Sequence, residues 1–414
     1  MEKPTVHKLK NGLTVAILPY TEVGSVTIHL RGKCGSNYEN KNEIGSAHIL
    51  EHLSFKRNQL SNLITAAGGK VVGVTSRDDV LFMTKLLADD IEKGFVFLSN
   101  IFDSGNINEK NFQVSKEIIR QEIKRYINMP EKYIGRISYR ILFPDQRLGM
   151  LNTGDLKDID NLTIDNVGKF RQRTYFSNNF VLTICGNCKP RKTVEMANRY
   201  FSDVVRGTDI PQIKHKESPQ FQSQVINNPY YTQTHIKIDF YGYKTSDSKK
   251  YSSFFLGKIL DKLLKSSLKD RQGLVYNINC DSFSTGSYGL FGVYAAGEEK
   301  NTRKIIEEIK TIIINSNKLI NEATVHQIRN SLLADLVFAF EKTSQRADYY
   351  SELLLHGRKN QNHLMEMKKI RAMTQKEVLS IAHEILSQDP KITVLANNIR
   401  NEDIQQFWSA QTKQ

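Results

Sequence analysis

The segment Gly45-Ser46-Ala47-His48-Ile49-Leu50-Glu51-His52 sets two imidazoles and a carboxylate in the order His-x-x-Glu-His. On a helix, positions i and i+4 lie on one face. His48 and His52 can therefore reach a single cation, and Glu51, three places after His48, shares that face. Such a set can carry out metal-assisted hydrolysis, with the two His as ligands and the Glu as the base that takes a proton from water. A catalytic zinc usually has three protein ligands and one open position, so a third ligand must come from outside this segment. The stretch Glu109 to Ile127 offers one. Phe112, Ser115, Ile119, Glu122 and Tyr126 recur three and four places apart, which puts Glu122 on the core-facing stripe of a helix. A carboxylate there is costly unless it meets a cation. A metal ion could serve, and so could one of the Lys or Arg residues of the same helix.

The elements that must position these groups follow from periodicity. Alternation predicts strands at Leu13 to Leu18 and Ser25 to Arg31, ahead of a helix Glu43 to Lys56 that carries the motif. Strands Lys70 to Thr75 and Val80 to Leu86 come next. Helices follow at Ile91 to Ile101, Glu109 to Ile127, Tyr133 to Phe143 and Asp165 to Arg173, then a strand Phe180 to Cys185. Arg206 to Pro229 is polar with scattered Pro and Gly, and reads as a connection. Beyond it the order repeats, with strand His235 to Tyr241, helix Tyr251 to Leu264, strands Leu274 to Phe283 and Gly289 to Ala295, then helices. Thr163, Val167 and Val181-Leu182-Thr183-Ile184 return 211 positions later as Thr374, Val378 and Ile392-Thr393-Val394-Leu395. Asn108-Glu109 likewise returns as Asn321-Glu322. So long a period means one domain copied once. The expectation is an α+β chain of two homologous domains, 1–215 and 216–414, each a mostly antiparallel sheet packed with helices. Only the first holds the metal motif.

Composition narrows the function classes. The 414 residues are 39% hydrophobic and 25% charged, a folded rather than a disordered balance. No stretch approaches the roughly 18 apolar residues of a membrane span. Met1 to Tyr20 alternates charged and apolar residues and lacks a secretion-signal pattern. Cys34, Cys185, Cys188 and Cys280 form no regular framework, which favours a reducing compartment, the cytoplasm or an organellar matrix. Cys185-Gly186-Asn187-Cys188 is a lone C-x-x-C and reads as incidental. The net charge of +14 is spread along the chain without a nucleic-acid-binding signature, so no nucleic-acid partner is expected.

Taken in order, the motifs resemble the inverted-motif zinc peptidases that include pitrilysin, insulysin and mitochondrial processing peptidase. The likeness runs through Asn11-Gly12-Leu13-Thr14-Val15, Gly35-Ser36, Glu39 and the His48 to His52 motif. It continues in Gly68-Gly69, Thr75-Ser76-Arg77-Asp78, Glu117 to Ile123, Phe143-Pro144 and Leu148-Gly149, and later in Gly273-Leu274-Val275-Tyr276 and Gly289-Leu290-Phe291-Gly292. The resemblance implies His48, His52 and Glu122 as ligands of one zinc per chain, and Glu51 as the base. It also implies a substrate grip for which Tyr276 is retained while Lys269 stands where the family has Arg, with Arg271 as the nearest substitute. Two such two-domain units would enclose a chamber, so a homodimer or a heterodimer with a homologous subunit is expected.

The sequence departs from the family in places. The 69 residues between His52 and Glu122 are fewer than usual, and the shortening falls just after Lys56-Arg57. Ser115 replaces a common second acid seven places before the ligand, and Val72 replaces an Asn that holds substrate backbone. Gly73 lies in the strand nearest the motif, which is expected to be the edge where an extended peptide docks. The reading is a zinc-dependent metalloendopeptidase acting on peptides or unfolded leader segments. The alternatives are a dedicated peptide-maturation peptidase with a partner subunit, and a non-catalytic peptide-binding subunit of the same fold.

Overall fold

The computed structural model describes residues 3–56, 59–105 and 107–409. The shortening placed after Lys56-Arg57 falls at 57 and 58, outside the described residues. The chain forms two compact units, each built on one sheet.

The first sheet comprises β1 (Thr5–Lys8), β2 (Thr14–Pro19), β3 (Ser25–Gly32), β4 (Lys70–Thr75), β5 (Val80–Leu87) and β6 (Phe180–Gly186), in the order β1-β2-β6-β3-β5-β4. Only β2 and β6 pair in parallel; the other pairs are antiparallel. β3 is buried along both faces. Its Val26, Ile28 and Leu30 face the helix Ile91–Ser99, where Gly94 admits the crossing: a methyl group there would come within 2.9 Å of Ile28. Its Thr27 and Arg31 face the helix Thr343–Leu355, bonding Thr343 and Ser351. β4 closes the sheet as an edge strand.

The second sheet comprises β7 (Gln222–Asn227), β8 (Thr234–Tyr241), β9 (Asn277–Ser284), β10 (Gly289–Gly297) and β11 (Lys391–Ala396), in the order β7-β11-β8-β10-β9. It repeats the first without β1: one parallel pair, then antiparallel neighbours out to an edge strand. The repeated residues serve matching roles. Thr163 and Thr374 are N-caps, accepting from Asn166 and Glu377, of the helices that precede β6 and β11. Asn108 and Asn321 accept from the backbone of Asn111 and Thr324 at the starts of the helices Glu109–Ile127 and Glu322–Phe340. These echoes persist because a cap satisfies amides that a helix start leaves open.

The units are not continuous in sequence. Lys124–Leu151 belongs with the second sheet and Asp335–Glu366 with the first, while the crossing near the expected boundary lies between Ile213 and Lys214. Other elements differ from the periodicity reading. The segment read as a connection contains β7, whose Gln222, Ser223 and Gln224 hide its alternation and which is defined by pairing with β11. The helix expected over Tyr133 to Phe143 is two pieces, Pro130–Ile137 and Tyr139–Leu142. The motif helix begins at Ser46, three residues later than expected. No helix among the described residues is long and apolar enough to cross a membrane.

Candidate metal centre

The motif helix Ser46–Lys56 owes its start to Glu39. This buried carboxylate accepts from the amides of Gly45, at 3.0 Å, and Ala47, at 2.8 Å, and places negative charge at the positive end of the helix dipole. Gly45 has φ +95°, a left-handed conformation open to glycine, and a side chain there would strike Ile159. The entry angle of the helix is thus fixed before the first His.

From this helix, His48 and His52 turn their Nε2 atoms toward each other, 3.2 Å apart. Glu122 arrives from the helix Glu109–Ile127, with its two oxygens 3.6 Å from His48 Nε2 and 3.7 Å from His52 Nε2. Three donors bound tetrahedrally to one zinc at ordinary bond lengths stand roughly 3.3–3.5 Å from one another. The donor set therefore fits that ion. His48, Glu51 and His52 also each offer a ligand atom within 4.8 Å of the others. Two cations of the same helix serve other partners. Lys116 donates to the carbonyls of Asp160 and Leu162, and Arg120 pairs with Asp160.

Glu51 Oε2 lies 3.7 Å from His48 Nε2, beside the triangle of donors. Burial, and then the neighbouring Glu122 charge, push its carboxyl up to about 7. A carboxyl poised near neutrality can both take and return a proton. On its other side the carboxylate rests on β4. A methyl group on Gly73 would lie 2.1 Å from Glu51 Oε1 and 2.4 Å from the Phe55 ring. Val72 and Val74 on the same strand point outward and are exposed.

The expected residues divide between the units. His48, Glu51, His52, Gly73 and Glu122 come together in the first. Lys269, Arg271 and Tyr276 belong to the second, where a π-helical turn Lys265–Arg271 continues the helix Lys250–Leu264. Tyr276 is 75% exposed, and its amide donates to Ala296. Ser115 is fully buried, so no carboxylate supports the site from that position. Sequence reasoning assigned no role to Glu39, although an acid just ahead of a helix start is a recognisable signal. It missed Asn152, whose Nδ2 donates to Thr75 at 3.1 Å from 77 residues away. No local pattern marks that contact.

Two family models match the chain. Residues 15–150 match the one described as Insulinase (Peptidase family M16), and 161–332 the one described as Peptidase M16 inactive domain. This chain belongs to the M16 peptidase family. Its M16 relatives include an uncharacterized zinc protease of Rickettsia bellii, 26% identical over 84% of this chain and 86% of the relative. The beta subunit of the mitochondrial-processing peptidase of Saccharomyces cerevisiae is 23% identical over 94% of this chain and 90% of its own. Among solved structures, a protease from Helicobacter pylori superposes with a TM-score of 0.89 at 20% identity, over 95% of this chain and 100% of that one. A chain of Complex III2 from Candida albicans gives 0.87 at 16% identity, covering 98% and 99%. The likeness to these two solved structures runs over nearly the whole chain and shows a shared fold. The His48 to His52 motif lies within the first matched segment.

Proposed function

We propose that this M16 chain is a zinc-dependent endopeptidase that hydrolyses peptides or unfolded leader segments and works as a dimer, with a second copy or a related subunit. The observation that carries the reading is the triangle of His48, His52 and Glu122 donors, 3.2 to 3.7 Å on a side, with Glu51 against it. His48 and His52 hold the ion through Nε2, and Glu122 through its carboxylate. Bound there, zinc supplies Lewis acidity to the scissile carbonyl and lowers the pKa of water toward ~7. Glu51 accepts the proton of the attacking water at its carboxylate and returns it to the leaving amine.

An extended substrate adds as a further strand beside β4, whose outer edge carries no strand among the described residues. Gly73 keeps that edge close to Glu51. Tyr276, with Lys269 or Arg271, is the substrate grip that the family resemblance implies. The name of the yeast relative, a subunit of a processing peptidase, supports work with a partner subunit.

The test combines cleavage of a quenched fluorogenic peptide mixture with zinc analysis for wild type, Glu51→Gln and Glu122→Gln. Wild type should cleave with about one zinc per chain. Glu51→Gln should keep zinc and lose activity, and Glu122→Gln should lose both. A wild type that neither binds zinc nor cuts would leave the non-catalytic peptide-binding subunit as the reading.

A further inference from the structure

In an antiparallel ladder, successive residues turn their N–H and C=O alternately toward the paired strand and away from it. At the hairpin joining β4 to β5, the Ser76 amide donates inward to the Asp79 carbonyl, while the Thr75 carbonyl turns outward and accepts from Asn152 Nδ2 at 3.1 Å. Thr75, Gly73 and Val71 share that parity, so their peptide groups form the outer edge of β4. The chain just past Thr75 is covered as well. The Ser36 amide donates to Ser76, at 3.1 Å, and the Asn37 amide to Arg77, at 2.8 Å. Among the described residues the edge is therefore open at Val71 and Gly73, while the carbonyls of Thr75, Ser76 and Arg77 are taken.

We infer that Asn152 is a register stop for the substrate strand. It is a specificity-determining residue that limits backbone pairing to one side of the scissile bond. The inference rests on the peptidase reading of this site. Glu51 lies against Gly73 and so fixes the reacting carbonyl near that residue. On the side running toward Val71, a peptide finds free donors and acceptors. On the side running toward Thr75, the next carbonyl is already taken by a side-chain amide. Extending a substrate on that side forgoes the bond to that carbonyl and meets at most the Thr75 amide, so length preference becomes asymmetric without any pocket for a particular side chain.

The experiment measures equilibrium binding of fluorescein-labelled peptides to zinc-loaded Glu51→Gln protein, which binds without cleaving. One core sequence is lengthened by single alanines at either end. Affinity should climb with extension at one terminus and stay flatter at the other. Adding Asn152→Leu, which cannot donate to Thr75, should release the flatter side, with a gain of about 3- to 10-fold for the first added residue. Asn152→Asp also lacks the donor and provides a second, isosteric variant should the Leu form fold poorly. An unchanged length profile in both variants, or a uniform loss across all peptides, overturns the role of Asn152 and leaves the peptidase reading standing. Absence of peptide binding by the zinc-loaded parent overturns both.

Discussion

The Glu51 carboxylate lies against the backbone of Gly73 so closely that a methyl group at that position would come within 2.1 Å of Oε1. The backbone there is ordinary extended strand, so the need for glycine is one of space. Gly73→Val should displace the carboxylate, because the strand behind it is held by β5 and Phe55 is packed against Phe82 and Phe97. The expected result is a fall in kcat of about tenfold or more, with zinc content unchanged since neither His nor Glu122 is touched. Steady-state kinetics with metal analysis checks it. A variant altered only in KM would mean that Glu51 does not depend on this space.

The Glu39 carboxylate holds two amides at the start of the motif helix from a buried position. Replacing it with Gln presents an NH2 group to one of those amides and removes the charge that complements the dipole. Glu39→Gln should cost about 1–3 kcal/mol of stability and weaken zinc binding, because the helix that aims both imidazoles is loosened. Thermal unfolding and chelator competition measure the two effects. Parent-like values in both would show that the cap contributes nothing to the site.

His29 faces the helix Thr343–Leu355 from β3, between Thr27 and Arg31, and neither ring nitrogen has a hydrogen-bond partner. Burial, and then the nearby Arg31 charge, push its imidazole down to about 3. The unfolded chain would protonate near pH ~6.5, so between these values it binds a proton that the folded chain refuses. The stability contribution is intact above pH ~6.5 and is lost as the pH falls toward 3. At about pH 5 the difference is on the order of 2 kcal/mol. Urea midpoints at about pH 7.5 and pH 5 should diverge more for wild type than for His29→Leu; equal divergence would rule His29 out as the source.

The C-x-x-C pair should be inert on physical grounds. Cys185 and Cys188 are buried free thiols, pushed up by burial to about 12 and about 11. Burial also raises Cys34 and Cys280. Only the thiolate attacks disulfides or binds metal. Native protein at neutral pH should therefore leave all four cysteines unmodified by a colorimetric disulfide reagent, and all four should react after denaturation. Rapid labelling of Cys185 or Cys188 in the folded state would reopen a redox or metal role for the pair.

Local spacing determined a good deal of this protein. The i, i+4 interval of His48 and His52 and the stripe Phe112-Ser115-Ile119-Glu122 each describe one face of one helix, and such relations survive in any fold that keeps the helix. The capping residues Thr163 and Thr374 belong to the same class, since a cap acts within a single turn. Tertiary structure decided what depends on contacts between distant segments. It assigned Asp335–Glu366 to the first sheet and Lys124–Leu151 to the second, although each lies in the other half of the sequence. It revealed β7, whose polar residues become a strand by pairing with β11. It also set Glu51 against Gly73 and Asn152 against Thr75. Periodicity reports which way a side chain leaves its own element, whereas the partner it meets is fixed only when sheets and helices pack together.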